Sequence, residues 1–370
     1  MAEVVLWTPD SGEVEVIGET TTWNFQQGAR AMWLPGGGNQ VLFNKRVGGQ
    51  PGAEIVDIDS GERRELPHAV GHVAPDGSYG FAPNFARLGK LWPAYGYSGF
   101  DDPFVDESQP YQDGLWRIDI ESGARELMFS IPDLVALTNG AIGSEIATFV
   151  THVSFNREGT RIVFMMRFFS KDYALYSLIY SADVDGNGLR LLAQEKISHF
   201  DWTSEDEIVV WMRKIALGVA AARRSGLLAS PFLKPLVNIA RKFKGKMRSA
   251  MLNESYFSMS VAGGSPEPWA RGILQRDGHP MISPDRKWMI VDEYPMSDGT
   301  TPLMLVDMAT CKRIEVATFM HDVGTPDRDM KCDLHPRWDR KGTQVGVDAT
   351  NGGRRCFTIV DVADLMTETA

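Results

Sequence analysis

The stretch "THVSFNREGTRIVFMMR" (151–167) has the pattern of two β-strands joined by a polar turn. Val153 and Phe155 alternate with polar residues, a Gly-containing turn follows, and the second half is rich in β-branched and aromatic residues. The same plan recurs along the chain and so forms an internal repeat. Five copies begin at histidines, and these are His72, His152, His199, His279 and His335. A related unit without the histidine begins near Met32.

A second hairpin pattern follows each of these units. Examples are "AEIVDIDSGERREL" (53–66), "GLWRIDIESGARELMF" (114–129) and "PLMLVDMATCKRIEV" (302–316). Four strands per unit, repeated at least six times, predict an all-β chain folded as one β-propeller over residues 1–370. We expect seven blades, with six or eight as alternatives, because "EVVLWTPDSGEVEVIG" (3–18) resembles the outer half of a blade completed elsewhere. Two stacked β-sandwich domains are the competing interpretation.

Composition and charge limit the classes of protein to which this chain can belong. A chain of 370 residues can bury a sizeable core without disulfides, and its three cysteines form no even framework. With a polar, acidic N-terminal stretch, this predicts a cytoplasmic location. The net charge of −10 argues against general nucleic-acid binding. The chain has no run of 18 apolar residues, so we expect no transmembrane helix.

The repeat predicts where the histidines lie. In a propeller blade, the start of the first strand and the end of the second strand are on the same face, because consecutive strands are antiparallel. The five histidines should therefore surround one opening, together with the residues that end the second strands: Asn84, Arg167, Arg213, Asp292 with Glu293, and Asp348. Charged groups gathered there need partners or a ligand. For each single histidine, a structural hydrogen bond to a neighbouring blade remains the alternative.

A set of imidazole and thiol side chains in adjacent units is a candidate metal site. Its members are His279, His321, Cys332 and His335. Imidazole with thiolate suits zinc or another borderline metal. The alternative is that Cys332 packs as a small apolar residue while His335 bonds to Asp333.

One segment is strongly basic, although the chain as a whole is acidic. Residues 213–248 contain ten Lys and Arg and no Asp or Glu. Ser230 and Pro231 suit a helix start, and the apolar residues that follow fall on one helical stripe. We therefore predict a basic helical insertion over 214–254. It could contact an anionic membrane surface peripherally through 214–250, cover the site and attract an anionic saccharide, or pack on the propeller or a second subunit.

The motifs "DGHPMISPD" (277–285), "CDLHPRWDRKG" (332–342) and "THVSFNREGTRIVF" (151–164) resemble those of the oligogalacturonate lyases. These are seven-bladed propellers that cleave uronate-containing saccharides by β-elimination, and the arrangement is also similar to the ulvan and rhamnosyl-glucuronate propeller lyases. The resemblance covers residues about 70–360. It implies a divalent metal, manganese or zinc, on His279 and His335. In that family, three histidines and a glutamine hold the metal. Cys332 stands near the position of the glutamine, and His321 would be the third histidine.

The same resemblance implies roles for the other residues. His199 maps onto the family's base and Arg167 onto its companion arginine. From the chemistry of elimination alone, His152 is an alternative base, and Arg213 or Arg337 are alternatives for the uronate carboxylate. Tyr95 and Tyr97 are candidate acids or sugar-stacking residues, or they simply pack within their own loop, and we expect Asn84 and His72 to line the substrate site. The sequence thus favours a carbon–oxygen lyase with an acidic oligosaccharide or polysaccharide as partner. The alternative is a non-catalytic binding or scaffold propeller of a membrane-associated polysaccharide pathway, peripheral to the inner membrane.

Overall fold

The computed structural model describes residues 1–36, 38–170, 174–194, 196–213, 254–296, 298–320 and 332–367. Nearly all regular structure in these ranges is β-strand, and the strands pair with their sequence neighbours in antiparallel sheets. The described chain divides into two compact units, residues 1–194 and the residues from Lys196 onward. Among the described residues, no helix is long and apolar enough to cross a membrane.

The first unit contains a hairpin, three four-stranded sheets and two short helices. The hairpin is β1 (Ala2–Thr8) with β2 (Glu13–Thr20). The first sheet is β3 (Met32–Trp33), β4 (Gln40–Val47), β5 (Gln50–Asp57) and β6 (Arg63–Leu66). The second is β7 (His72–Val73), β8 (Tyr79–Pro83), β9 (Gly114–Asp119) and β10 (Arg125–Ser130). The third is β11 (Thr148–Phe155), β12 (Arg161–Phe169), β13 (Leu175–Asp183) and β14 (Arg190–Ala193). Helix α1 (Phe85–Leu91) follows β8, and α2 (Ile131–Ala136) follows β10.

The second unit contains three further sheets. The first is β15 (Lys196–Trp202), β16 (Glu207–Arg213), β17 (Glu254–Ser260) and β18 (Glu267–Trp269). The second is β19 (Pro280–Ile282), β20 (Trp288–Asp292), β21 (Thr300–Asp307) and β22 (Arg313–Met320). The third has three strands among the described residues, β23 (Arg337–Trp338), β24 (Gln344–Asn351) and β25 (Arg354–Asp361), and is followed by α3 (Ala363–Thr367).

These sheets confirm an all-β propeller, but the prediction of seven blades was wrong, because the described residues form six. The difference comes from the N-terminal hairpin, in which β1 and β2 pair with each other as a two-stranded sheet. Val4 and Ile17 on its buried side pack against Val41 and Phe43 of β4. The hairpin therefore covers the first sheet instead of supplying the outer strands of a seventh blade. The predicted basic helical insertion was 214–254, of which 214–253 lie outside the described residues, and Glu254 begins β17.

The Gly-His pairs at two blade heads place their histidines close to the end of the second strand. A Cβ atom on Gly278 would lie 1.5 Å from the carbonyl oxygen of Asp292, so only glycine fits there without a shift of the backbone. At the corresponding position of the first unit, a Cβ atom on Gly71 would lie 2.7 Å from the carbonyl oxygen of Phe81. The close approach of the two backbones thus follows directly from the glycine.

Candidate functional site

Three histidine rings pack side by side in the second unit. They come from three successive blades: His199 lies within β15, His279 directly precedes β19, and His335 lies two residues before β23. The ring centroids of His199 and His279 are 4.1 Å apart, and those of His279 and His335 are 4.3 Å apart. We call these three residues the histidine cluster. Each ring is partly buried, and 13%, 13% and 20% of the side chains of His199, His279 and His335 are exposed.

Asp277 holds the first ring of the histidine cluster. Its Oδ1 is 2.9 Å from His199 Nδ1 and accepts a hydrogen bond of 2.7 Å from Ser198 Oγ. The backbone N–H of Gly278 also donates to this oxygen. Because a carboxylate oxygen can only accept, Nδ1 of His199 carries the proton. Nε2 of His199 is therefore the basic nitrogen of this ring.

Asp292 holds the second ring and is almost fully buried. Both of its oxygens lie 3.0 Å from His279 Nδ1, and its Oδ1 also accepts from the His279 backbone N–H. Burial alone would raise the pKa of the Asp292 carboxyl, but the charge and hydrogen bonds of His279 outweigh it and lower that pKa to about 2. Asp292 is thus an anion that also accepts from the backbone N–H of Leu334, which ties the segment before His335 to the cluster.

Asp348 lies behind the third ring. Its Oδ2 is 3.7 Å from His335 Nδ1, an ion-pair distance, and it accepts a 3.0 Å hydrogen bond from Arg337 Nη2. Burial and the charge of the neighbouring His279 lower the pKa of His335, which favours a neutral imidazole. The backbone of His335 has a φ of +41°, a left-handed conformation that non-glycine residues seldom adopt outside functional or tightly constrained positions.

The donor atoms of this region fit a divalent cation. One ligand atom each from His279, Asp333 and His335 lies within 4.8 Å of the other two. Metal-bound histidines usually donate their second ring nitrogen to a carboxylate, as His279 does to Asp292. Two imidazoles with a carboxylate suit zinc or manganese. Asp333 was not among the ligands predicted from the sequence, although its place two residues before His335 in "CDLHP" was a usable signal.

Tyr294 is a further residue of this site that the sequence analysis missed. Its ring meets the rings of His199 and His279 edge-on, with centroid distances of 5.8 Å and 5.7 Å. Its backbone N–H donates to the carbonyl oxygen of Asp277 at 2.8 Å. The only sequence signal was its place two residues after Asp292, just past the end of a second strand.

The other predicted residues of the second unit have different surroundings. Cys332 is buried, its thiol lies 3.6 Å from the carbonyl oxygen of Ala349, and burial raises the pKa of that thiol to about 11. This favours a neutral thiol over a metal-binding thiolate. Arg213 is buried in an ion pair with Glu254. His321 lies outside the described residues.

A second group of predicted residues forms an aromatic stack in the first unit. The Trp92 and Tyr95 ring centroids are 4.0 Å apart, and those of Tyr95 and His152 are 5.1 Å apart. The Arg167 guanidinium lies 5.1 Å from the centroid of Trp92. Thr151 Oγ1 is 2.8 Å from His152 Nδ1, and His152 has a φ of +53°. Each of these rings thus contacts another ring or a guanidinium group, as in a packed cluster.

The remaining predicted residues make structural contacts in the first unit. Asn84 caps α1 and donates to Asp102 and Asp113. Tyr97 is buried, and its hydroxyl accepts a 2.8 Å hydrogen bond from Asn44. His72 meets the ring of Phe155 edge-on, and burial with the charge of Arg30 lowers its pKa to about 4. These contacts account for all three side chains without a ligand.

Comparison with known proteins shows the fold alone. No family model matches the sequence, and no curated protein matches it. An oligogalacturonate lyase in complex with manganese aligns with a TM-score of 0.51 at 9% identity, over 97% of this chain and 96% of that chain. The tricorn protease aligns with a TM-score of 0.50 at 12% identity, over 98% of this chain but only 37% of the protease. Both comparisons support a β-propeller.

Proposed function

We propose that this protein is a metal-dependent lyase that cleaves uronic-acid-containing saccharides by β-elimination. The observation that carries the proposal is the histidine cluster of three packed imidazoles, with an aspartate behind each ring. The structural likeness to a manganese-bound oligogalacturonate lyase and the motif resemblance agree with it. The partner would be an acidic oligosaccharide or polysaccharide.

The proposed reaction removes a proton from C5 of a uronate and breaks the C4–O4 bond. The electron pair of the C5–H bond forms the C4–C5 double bond, and O4 leaves with the electron pair of the broken bond. The C5 proton is weakly acidic, so the site must stabilise the charge that develops on the neighbouring carboxylate. It must also provide a base within reach of C5.

His199 is the proposed base. Asp277 holds the proton of this ring on Nδ1, which leaves the Nε2 lone pair to take the C5 proton. The aspartate also stabilises the imidazolium that forms when the ring is protonated. Imidazole is the side chain that enzymes most often use as a general base.

The substrate carboxylate would lie next to the other two rings. A divalent cation held by His279, Asp333 and His335 would supply positive charge there and so acidify the C5 proton. Arg337 is the proposed second partner of the carboxylate. About half of its side chain is exposed, and a guanidinium has five N–H donors, so its bond to Asp348 leaves donors for a substrate.

The test is an assay with oligogalacturonate and with a glucuronate-containing polysaccharide. We expect the ultraviolet absorbance of C4–C5 unsaturated uronate ends to appear with one of them. Chelation should remove the activity, and added manganese or zinc should restore it. Asp333→Asn should weaken metal binding, while Asp285→Asn, which changes an exposed aspartate bonded to Ser283, should behave as wild type. Saccharide binding without new absorbance would contradict the proposal and favour a non-catalytic binding propeller.

A further inference from the structure

The elimination leaves one proton unaccounted for, because the departing O4 must be protonated while His199 takes the proton from C5. One side chain cannot accept one proton and donate another in the same step. A second group beside His199 is therefore needed if O4 is to leave as a hydroxyl. Such a group must carry a proton at neutral pH and lie within the reach of one sugar residue of the base.

Tyr294 is the candidate for this second group. Its backbone is held by Asp277, which also holds the proposed base His199. Asp277 binds the ring of His199 through its carboxylate and the backbone N–H of Tyr294 through its carbonyl oxygen, so one residue holds both the ring and the Tyr294 backbone. The ring of Tyr294 meets those of His199 and His279 edge-on. Its phenol is therefore carried by a ring that contacts both the proposed base and a proposed metal ligand.

Hydrogen bonds hold the residues directly before and after Tyr294. Glu293 accepts hydrogen bonds from the backbone N–H groups of Gln275 and Arg276 at 2.7 Å and 3.1 Å. Arg276 Nη1 in turn donates to the carbonyl oxygen of Pro295 at 2.8 Å. Residues 293–295 are thus fastened to residues 275–277, and this limits the motion of the Tyr294 backbone. Such preorganisation is what proton transfer at a defined atom requires.

Tyr256 is a second tyrosine close to the cluster. Tyr256 is fully buried, and its hydroxyl donates to the carbonyl oxygen of Gly278 at 3.0 Å. Burial raises its pKa well above the ordinary value. Tyr294 in contrast is partly exposed.

We propose that Tyr294 is the acid that protonates the leaving O4. This inference rests on the proposed lyase function. The C5 proton passes to His199 Nε2, the C5–H electron pair forms the double bond, and the C4–O4 bond breaks. O4 takes the phenolic proton of Tyr294, which leaves a phenolate. Solvent then removes the proton from His199 and returns one to Tyr294, so charge and atoms balance over the cycle.

The experiment compares two leaving groups in the full-length, metal-loaded protein. One substrate is a galacturonate oligosaccharide, whose O4 needs a proton, and the other is a uronoside with fluoride at C4, which leaves without one. Tyr294→Phe should lower kcat for the oligosaccharide by about 10²–10⁴-fold. The loss of kcat should be far smaller for the uronoside with fluoride at C4. Tyr256→Phe is the matched control, since it removes a phenol beside the same cluster and should affect both substrates equally.

Any other outcome gives Tyr294 a different role or rejects the proposed function. Equal losses with both substrates would show that Tyr294 only positions the site, and a lower metal content in Tyr294→Phe would make it a ligand. Either result overturns the acid role. Full activity of Tyr294→Phe with an active wild-type protein would overturn this inference alone. A wild-type protein inactive on both substrates would overturn the proposed function together with it.

Discussion

Histidines head blades in both units, yet their surroundings differ. In the first unit, His72 lies beside Arg30 and the edge of Phe155, and its pKa falls to about 4 through burial and the charge of Arg30. In the second unit, His199 and His279 are hydrogen-bonded to the carboxylates of Asp277 and Asp292. The position in the repeat is the same, but one environment lowers the pKa of the imidazole and the other gives the imidazole a carboxylate partner.

The contrast shows which residues decide the chemistry of a blade head. The repeat brings an imidazole to the end of the neighbouring strand in either unit. Whether that imidazole can serve as a ligand or base depends on a carboxylate partner, which for His279 is at the end of its own second strand and for His199 lies two positions before the next head histidine. At these two positions the blade of His279 has Asp292 and Asp277, whereas the blade of His72 has Pro83 with Asn84 and Val70.

The first way to break the comparison is to remove one histidine from each unit. Replacing the proposed base, His199→Ala, should lower kcat for an oligogalacturonate by about 10²–10⁴-fold. His152→Ala in the first unit should cost less than about tenfold, a loss too small for the proton-abstracting residue. Initial rates of unsaturated-uronate formation measure both. The reverse ranking would move the base to His152 and contradict the assignment made from the aspartate partner.

The second test concerns the carboxylate behind a ligand. Asp292→Asn replaces the anion that faces His279 Nδ1 with a neutral amide, and we expect manganese or zinc affinity to fall about 10–100-fold. Calorimetric titration with the metal alone measures this loss. Asp113→Asn is the matched control, because it changes an equally buried carboxylate in the first unit and should leave metal affinity unchanged. Equal affinities of wild type and Asp292→Asn would remove the carboxylate from the metal site.

The third test compares the two glycines that precede head histidines. An added methyl group at position 278 would lie 1.5 Å from a carbonyl oxygen, whereas at position 71 the nearest oxygen would be 2.7 Å away. We expect Gly278→Ala to lower the free energy of unfolding by about 3 kcal/mol and Gly71→Ala by about 1 kcal/mol. Urea denaturation followed by tryptophan fluorescence measures both values. Equal losses would show that the two blade heads tolerate the same displacement.

Much of the fold could be predicted from the sequence because the repeat is local. Each blade is built from hairpins whose turns and alternation are visible in stretches such as 151–167 and 302–316. The blade number could not be predicted in the same way. The stretch 3–18 has a hairpin pattern whether it completes a blade or covers one. Its packing on Val41 and Phe43 is a long-range contact that no local pattern encodes.

The residues of the candidate site also divide into those that the sequence could predict and those that it could not. The histidines at 199, 279 and 335 could be found because the repeat marks them. Asp333 and Tyr294 were missed because neither occupies a repeated position, and they reach the cluster through the irregular segments that flank the strands. Cys332 illustrates the opposite case. Its spacing from His335 resembles a metal motif, yet burial raises the pKa of its thiol, a property that spacing cannot reveal.

The last test uses pH to separate the two environments. His72 has a pKa of about 4 in the folded protein and an ordinary value of 6.5, so between these values the unfolded chain binds more protons. The stability due to this residue is complete above pH 6.5 and is lost as the pH falls toward 4. Its size is about 1–2 kcal/mol once its partial exposure is allowed for. His72→Gln should flatten the dependence of the unfolding free energy on pH in this window.

Asp292 provides the opposing control for this pH test. Its pKa is lowered from 3.8 to about 2, so its contribution persists to pH 3.8 and is lost only below that value. Asp292→Asn should therefore lower stability at every pH above 3.8, and because it removes the anion beside His279, any change that it makes in the slope between pH 6.5 and 4 reports on the histidine cluster. Urea denaturation at several pH values measures both variants. If His72→Gln keeps the wild-type slope while Asp292→Asn removes it, the acid sensitivity belongs to the histidine cluster and the contrast between the two blade heads fails.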